Sequence, residues 1–128
     1  MKNSLIREAI RISRRALPTH PWFRHRKCHF SFVVQNNKII EWGMNRQGNP
    51  PASYPDFAAI HSEIDAYSKA RGIMNHGQGF EIINIRLNRQ GLLKLSAPCE
   101  RCGPFIQAIG CSHVYFSTNM GSFAKQKV

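Results

Sequence analysis

The sequence is poor in acidic residues and lacks any long apolar run. Only 7 Asp and Glu stand against 18 Lys and Arg among 128 residues, which gives a formal charge of +11. So large a charge on a small protein indicates a polyanionic partner, although a basic surface that serves only solubility has the same composition. No stretch approaches the ~20 apolar residues of a membrane-spanning helix, so we expect no membrane insertion.

Cysteine is scarce, and its spacing is informative. The four cysteines are Cys28, Cys99, Cys102 and Cys111. A C-x-x-C pair with a histidine elsewhere favours a metal site in a reducing compartment over disulfides. Residues 1–17 carry scattered arginines where a secretory signal has an apolar block. We therefore expect an intracellular protein, located in the cytoplasm.

The length fits a single domain, residues 1–128, made of a basic N-terminal helix and arm (1–28) and a core (29–117). Apolar residues at helical spacing or after a helix-starting proline predict helices over 4–17, 60–73 and 99–109. Apolar and β-branched runs predict a hairpin of 30–35 and 38–45, strands at 81–87 and 114–117, and a candidate fifth strand at 122–127. This alternation of helices and strands indicates a three-layer α/β/α domain with a sheet of four to five strands.

Two short motifs provide a set of metal-binding side chains. His61-Ser62-Glu63 is an H-x-E motif, and Pro98 precedes the Cys99-x-x-Cys102 pair. One imidazole and two thiolates are three zinc ligands, which leave a fourth tetrahedral position for water, as in catalytic zinc sites. Glu63 lies two residues from His61, so on a helix its side chain points away from that ligand and is expected not to bind the metal.

The motif pair, in this order, resembles the cytidine deaminase-like superfamily of zinc-dependent nucleobase deaminases over about residues 29–117. The resemblance implies one Zn²⁺ per chain, held by His61, Cys99 and Cys102. It also implies that Glu63 is the catalytic proton shuttle in the hydrolysis of an exocyclic amine. The expected activity is hydrolytic deamination, with cytosine to uracil in single-stranded nucleic acid as the first hypothesis.

The resemblance also implies contacts to the target nucleotide. It assigns the nucleotide's sugar or base to Asn45, the base carbonyl to the backbone N–H of Ser62, and the exocyclic amine to the carbonyl of Ala97. Aromatic residues expected to flank the base are Tyr54, Phe57 and Phe116. Asn45 has a second interpretation, as a polar residue that only ends a strand.

The basic N-terminal arm is the candidate nucleic-acid surface. Residues 1–30 hold eight Lys or Arg and one acid, Glu8. Cations that track phosphates and aromatic rings that stack on bases are what single-stranded nucleic acid requires. The residues proposed for this role are Trp22, Arg24, Arg26 and Lys27. An alternative is that Trp22 or Phe23 covers the core where the first helix meets the sheet.

Other functions stay open on the sequence alone. A free-nucleotide deaminase of the deoxycytidylate or cytidine type would use the basic residues for one phosphate, and an adenine deaminase acting on RNA or DNA would share the motifs. A zinc-stabilised nucleic-acid-binding module without catalysis is a further alternative. In that case Cys28 or His113 would complete a closed, four-ligand site.

Overall fold

The computed structural model describes residues 1–23, 27–46, 60–98 and 102–128. In this part of the chain the elements follow in the order α1 (Asn3–Ala16), β1 (Cys28–Gln35), β2 (Lys38–Met44), α2 (Ser62–Ala70), β3 (Phe80–Leu87), β4 (Leu93–Lys94), α3 (Cys102–Ala108), β5 (Cys111–Ser117) and β6 (Phe123–Lys127). None of these helices has the length and apolar character needed to cross a bilayer.

All six strands belong to one mixed sheet with the order β2-β1-β3-β5-β6, and β4 pairs with β3. β3 and β5 are parallel, and the other pairs are antiparallel. The hairpin predicted at β1 and β2 is present, and its turn residues Asn36 and Asn37 have φ of 53° and 58°. Asparagine tolerates this left-handed conformation, which a two-residue hairpin turn requires.

α1 covers one face of the sheet. Its apolar stripe, including Leu5 and Ala9, packs on Phe30 and Phe32 of β1 and on Ile85 of β3. The arginines predicted on its other face are exposed or partly exposed, because the 3.6-residue period keeps them off the sheet. This face of the sheet is therefore an ordinary apolar core.

α2 and α3 cover the opposite face, where Ile64 and Phe105 pack with Val33, Ile82 and Val114 of the strands. The predicted three-layer α/β/α architecture is confirmed. Because successive strand residues point to opposite faces, the residues of β1 and β3 that face α2 alternate with those that face α1.

The element boundaries differ from the prediction in several places, and β1 and β5 begin earlier than expected, at Cys28 and Cys111. α2 ends at Ala70, before the predicted end at residue 73, and a turn carries the chain to the buried Met74. The two-residue β4 was not predicted, whereas the candidate strand at the end of the chain is present as β6. β6 pairs with β5 from Ser117↔Phe123 to His113↔Lys127.

Candidate metal centre

His61 lies immediately before α2, with extended backbone angles (φ −73°, ψ 154°), and its carbonyl accepts the helix hydrogen bond from Asp65 N–H. The preceding residue, Ile60, forms an isolated antiparallel bridge with Arg46 at the end of β2. Both backbone hydrogen bonds of this bridge are present, at 3.0 and 2.8 Å. The imidazole is therefore held by a strand bridge on one side and by the start of a helix on the other.

Cys102, the first residue of α3, brings its thiol to the same point. The distance from Cys102 Sγ to His61 Nδ1 is 3.2 Å, and the cysteine is fully buried. Zinc bonds of about 2.3 Å to sulfur and 2.0–2.1 Å to nitrogen place two tetrahedral ligands about 3.6 Å apart. The two donor atoms thus have nearly the separation that a shared zinc ion requires, and the donor set fits that metal.

Glu63 completes the cluster. Its carboxylate, His61 and Cys102 each offer a donor atom, and these atoms lie within 4.8 Å of one another. On the sequence alone, we expect a helix to turn Glu63 away from His61. That expectation fails because His61 precedes the helix in extended conformation, so the helical geometry does not apply to this pair.

The Glu63 carboxylate is buried, with 6% exposure, and both of its oxygens are hydrogen-bonded. Oε1 accepts from Ser62 Oγ at 3.2 Å, and Oε2 accepts from Asn84 Nδ2 at 3.2 Å. Ser31 Oγ lies 2.7 Å from Ser62 Oγ and donates to Asn84 Oδ1 at 2.7 Å. These four residues, which we call the carboxylate ring, close a cycle of buried polar contacts beneath the metal-binding cluster.

Asp65 is a site residue that the sequence analysis did not identify. Its buried carboxylate accepts from Met44 N–H at 3.0 Å and from Arg46 Nε at 3.1 Å, and it pairs with Lys69 at 3.2 Å. These contacts tie α2 to the end of β2. A signal was present in the sequence, because Asp65 is an acid at a core position of a predicted helix, four residues after His61.

Gly43 allows α2 to approach β2 closely. A Cβ atom at this position would lie 2.5 Å from the backbone nitrogen of Ala66 and 2.6 Å from Asp65 Oδ2. No side chain fits in that space without moving the helix, so glycine is required by packing here. The close approach sets the distance between the sheet and the helix that carries Glu63.

A histidine and an arginine lie side by side on the sheet near the cluster. His29 of β1 pairs across the sheet with Arg86 of β3. Burial, and then the charges of Arg86 and of His61, lower the pKa of His29 from 6.5 to about 4, with smaller effects from Lys27 and His20. Arg86 Nε is buried and has no hydrogen-bond partner, which is uncommon in native proteins.

Asn45 is buried and fully engaged with protein groups. Its Oδ1 accepts from His29 N–H at 2.9 Å and contacts His20 Nε2 at 2.7 Å, and its Nδ2 donates to the Lys27 carbonyl at 3.0 Å. His20 Nδ1 accepts from Trp22 N–H, so Nε2 carries the proton, and burial lowers the pKa of this histidine. Asn45 thus fastens the N-terminal arm to the hairpin. The substrate contact assigned to it by resemblance stays a prediction.

Other residues assigned to the substrate lie around the cluster. Ala97 is exposed and follows Ser96, whose hydroxyl donates to the Asn84 carbonyl at 2.8 Å. Phe116 of β5 is half-buried beside the α2–α3 core and pairs with Asn84 across the sheet. Ser62 reaches the site through its hydroxyl in the carboxylate ring. The predicted use of its backbone N–H is untested.

On the N-terminal arm, Trp22 is half-buried and Lys27 is exposed. Phe23, by contrast, packs against the α1 side of the core, as the alternative interpretation of the arm expected for one of the two rings. Five residues predicted for metal, substrate or nucleic-acid binding lie outside the described residues: Arg24, Arg26, Tyr54, Phe57 and Cys99.

The side chains suggested for a closed structural site lie elsewhere. Cys28 is buried in the core on the α1 side of the sheet, and burial raises its pKa. Burial also raises the pKa of Cys111 to about 12, and its Sγ contacts the His113 carbonyl. His113 lies 3.8 Å from Glu81. Among the described residues, the donor cluster consists of His61, Glu63 and Cys102 alone.

Comparison with known proteins gives structural matches and no sequence match. No protein-family model and no curated protein matches the sequence. A dCMP deaminase from the cyanophage S-TIM5, in apo form, superposes with a TM-score of 0.61 and 19% identity over 91% of this chain and 84% of that one. The same enzyme in complex with dCMP and dUMP superposes with a TM-score of 0.61 and 18% identity over 91% of this chain and 82% of that one.

A cytidine deaminase from Mycobacterium leprae superposes with a TM-score of 0.60 and 15% identity over 92% of this chain and 90% of that one. These superpositions cover 91% to 92% of this chain. The resemblance inferred from the two motifs is confirmed at the level of the fold. The chain has the cytidine deaminase-like fold, with its His-Glu-Cys cluster between the starts of α2 and α3.

Proposed function

We propose that this protein is a zinc-dependent hydrolase that deaminates a nucleobase, with cytosine in single-stranded DNA or RNA converted to uracil. The observation that supports the proposal most is the cluster of His61, Cys102 and a buried Glu63 with donor atoms within 4.8 Å. A partly exposed imidazole and a buried thiol beside a buried acid are the groups needed for metal-assisted hydrolysis. The cytidine deaminase-like fold around this cluster supports the same class of reaction.

His61 and Cys102 would hold the zinc ion together with Cys99, which follows Pro98 in the motif. A zinc ion with three protein ligands supplies an activated water molecule near neutral pH. The backbone at His61 is held by the Ile60–Arg46 bridge and by the α2 hydrogen bond, and Cys102 is buried at the start of α3. Little reorganisation of these side chains is then needed when the metal binds.

Glu63 would move the protons of the reaction. Water adds to C4 of cytosine, and Glu63 takes a proton from that water and passes it to N3. Glu63 then carries the remaining hydroxyl proton to the amine, which leaves C4 as ammonia while the C4 carbonyl of uracil forms. Burial of Glu63 excludes bulk water, so the proton stays between the carboxylate and the substrate. The hydrogen bonds from Ser62 and Asn84 keep both carboxylate oxygens in fixed positions while this happens.

The positive charge around the site supports a substrate that carries phosphate. Lys27 and Arg86 lie close enough to His29, beside the cluster, to lower its pKa, and the formal net charge of the chain is +11. Trp22 is half-buried next to this region and offers a ring for base stacking. Because a deaminase cannot reach its target atom inside a duplex, the polynucleotide would be single-stranded or locally opened.

A free nucleotide is the second candidate substrate, with an adenine base in RNA or DNA as a variant of the first. The dCMP complex of the phage enzyme favours this candidate, because that enzyme shares the fold over most of both chains. The salt dependence of binding distinguishes a polynucleotide substrate from a free nucleotide. Affinity for a polynucleotide falls steeply between about 50 and 200 mM salt, whereas affinity for a ligand with a single phosphate falls much less.

The test is to incubate the protein with single-stranded DNA, RNA, dCMP and cytidine and to measure ammonia release. We expect release from at least one substrate, greatest with the single strands. Glu63→Gln should lower turnover by about 10²–10⁴-fold or more with zinc retained. The control is Glu81→Gln, near the start of β3, which should have the turnover of the wild type. Equal turnover in all three proteins, or zinc-dependent binding without any ammonia, would instead identify a non-catalytic nucleic-acid-binding module.

A further inference from the structure

Beneath the cluster, the carboxylate ring does more than fix the Glu63 oxygens during proton transfer. We propose that Asn84, supported by Ser31 and Ser62, is a positioning residue that holds the Glu63 carboxylate away from the metal. The ring would thereby keep one metal position open to solvent and leave Glu63 available for proton transfer. This inference rests on the proposed function, since it requires that His61 and Cys102 bind a metal ion.

Without a restraint, Glu63 could become a metal ligand itself. Its carboxylate lies within 4.8 Å of the donor atoms of both His61 and Cys102, so a small movement brings an oxygen into the coordination sphere. Zinc binds carboxylate oxygens at about 2.0–2.2 Å and is satisfied by four ligands. With Cys99 also bound, coordination by Glu63 would close the site and exclude water.

The ring opposes that movement by engaging both carboxylate oxygens. Asn84 donates to Oε2 and Ser62 donates to Oε1, each at 3.2 Å. A rotation of the carboxylate toward the metal that breaks the Asn84 contact would leave the buried NH₂ group of Asn84 without this partner, whereas the Ser62 hydroxyl could turn to Ser31 Oγ, 2.7 Å away. Because an unsatisfied buried donor is destabilising, the Asn84 contact biases the position of the carboxylate.

Asn84 is itself held in the orientation that this role requires. Ser31 Oγ donates to Asn84 Oδ1 at 2.7 Å, so the amide presents its NH₂ group to Glu63 and not its oxygen. The backbone lies in the middle of the sheet, where Asn84 pairs with Ser31 on one side and with Phe116 on the other. The Asn84 carbonyl also accepts from Ser96 Oγ at 2.8 Å, in the segment that leads to Pro98 and Cys99.

The composition of β3 supports a specific role for this amide. Asn84 is 3% exposed and lies between Ile82, Ile83 and Ile85, all fully buried. An amide at such a position is unfavourable unless its hydrogen bonds are satisfied, and here its partners are Ser31 and the catalytic carboxylate. The amide therefore serves to hold the Ser31 hydroxyl and the Glu63 carboxylate together in an otherwise apolar stretch of β3.

The test uses cobalt(II) bound in place of zinc, with azide as a probe for an open metal position. In the wild type, azide should bind and change the visible absorption spectrum of the cobalt ion. In Asn84→Ala, Glu63 should take the open position, so the spectrum without azide changes and azide binds at least tenfold more weakly. Asn84→Asp, which places an oxygen against Oε2, should have the same effect, and the exposed Asn119→Ala should behave like the wild type.

The double variant Asn84→Ala/Glu63→Ala separates positioning from damage to the fold. If Glu63 blocks the metal in the single variant, its removal should restore azide binding to within about threefold of the wild type. The inference is overturned if Asn84→Ala binds azide as the wild type does, or if the double variant fails to recover. No nucleobase is used, so a protein that deaminates none of the tested substrates could still give the expected result, whereas failure of the wild type to bind cobalt would remove the metal from both proposals.

Discussion

The two faces of the central sheet are built from the same strands and serve opposite purposes. On β1, Phe30 and Phe32 point toward α1, whereas His29 and Ser31, from alternate positions, point toward α2. β3 repeats the pattern, with Ile83, Ile85 and Leu87 on the α1 side and Asn84 and Arg86 on the other. The α1 face is a continuous apolar core. The apolar core of the α2 face is interrupted by hydroxyl, amide, imidazole and guanidinium groups.

The difference between the two faces is one of apolar packing against buried polar groups. Burial of apolar area on the α1 face stabilises the protein by about 25 cal/mol per Å². The α2 face replaces part of that area with a hydrogen-bonded ring and with a histidine whose pKa is lowered to about 4. Buried polar groups contribute little net stability, so the α1 face should determine whether the protein folds and the α2 face what it does.

The largest expected effect is the loss of the metal in Cys102→Ala. We expect zinc content to fall from one per chain to nearly none and deamination to stop, because a thiolate ligand is removed and metal binding is coupled to folding. Metal analysis and ammonia release measure both changes. Cys111→Ala removes an equally buried thiol from the same side of the sheet, and it should keep its zinc. A full zinc content in Cys102→Ala would exclude this residue as a ligand.

The next effect compares adjacent residues on opposite faces. Phe32→Ala should lower the free energy of unfolding by about 3–5 kcal/mol, since the ring is fully buried and stacks on Trp42 with centroids 5.9 Å apart. Turnover per folded molecule should stay within a few-fold of the wild type. Ser31→Ala should destabilise by only about 1 kcal/mol and yet lower turnover much more. Denaturant unfolding and kcat should be measured on both variants. The comparison would be contradicted if the same variant lost more stability and also more turnover.

A smaller effect concerns acid sensitivity. The pKa of His29 is lowered to about 4 in the folded protein from 6.5, so the unfolded chain binds a proton in this pH window and the folded chain does not. Stability is therefore complete above about pH 6.5 and declines as pH falls toward 4, by roughly 1–3 kcal/mol from this residue. The free energy of unfolding, measured from pH 4 to 7, should depend less on pH in His29→Gln than in the wild type. The exposed His76→Gln should retain the wild-type slope, and identical slopes in all three proteins would refute the assignment.

The smallest effect is that of one exposed cation. Lys27→Gln should weaken single-strand binding by less than tenfold and reduce the slope of log K against log salt by about 0.7, as expected for one phosphate contact. Lys38→Gln, at the hairpin turn, should leave the slope unchanged. Binding titrations at 50 to 200 mM salt provide both numbers. A slope unaffected by Lys27→Gln would place the nucleic-acid track elsewhere on the molecule.

The layers and the metal-binding side chains could be predicted from the sequence because their signals are local. Residue spacing predicted α1, α2 and the hairpin, and two short motifs predicted that His61, Glu63 and Cys102 would meet. The length of α2 was predicted less well, since the turn after Ala70 still places apolar residues at helical spacing. β4 has only two residues, too few for any periodicity to show.

The supporting residues could not be predicted because their function exists only in three dimensions. Ser31 and Asn84 are 53 residues apart, and they meet because β1 pairs with β3 in one particular register. Gly43 appears as an ordinary strand glycine until α2 is placed against it. An asparagine in an isoleucine-rich strand was a usable signal, because a polar residue in a buried strand requires partners.

The central claim is that a zinc ion here has three protein ligands and that Glu63 is not one of them. X-ray absorption spectroscopy of the zinc-loaded protein tests it directly, with Glu63→Gln measured beside the wild type. We predict a shell of two sulfur atoms and two light atoms, one of them from imidazole and one from solvent, unchanged in the variant. A third sulfur, a second imidazole, or a shell that changes when Glu63 is replaced would contradict the account.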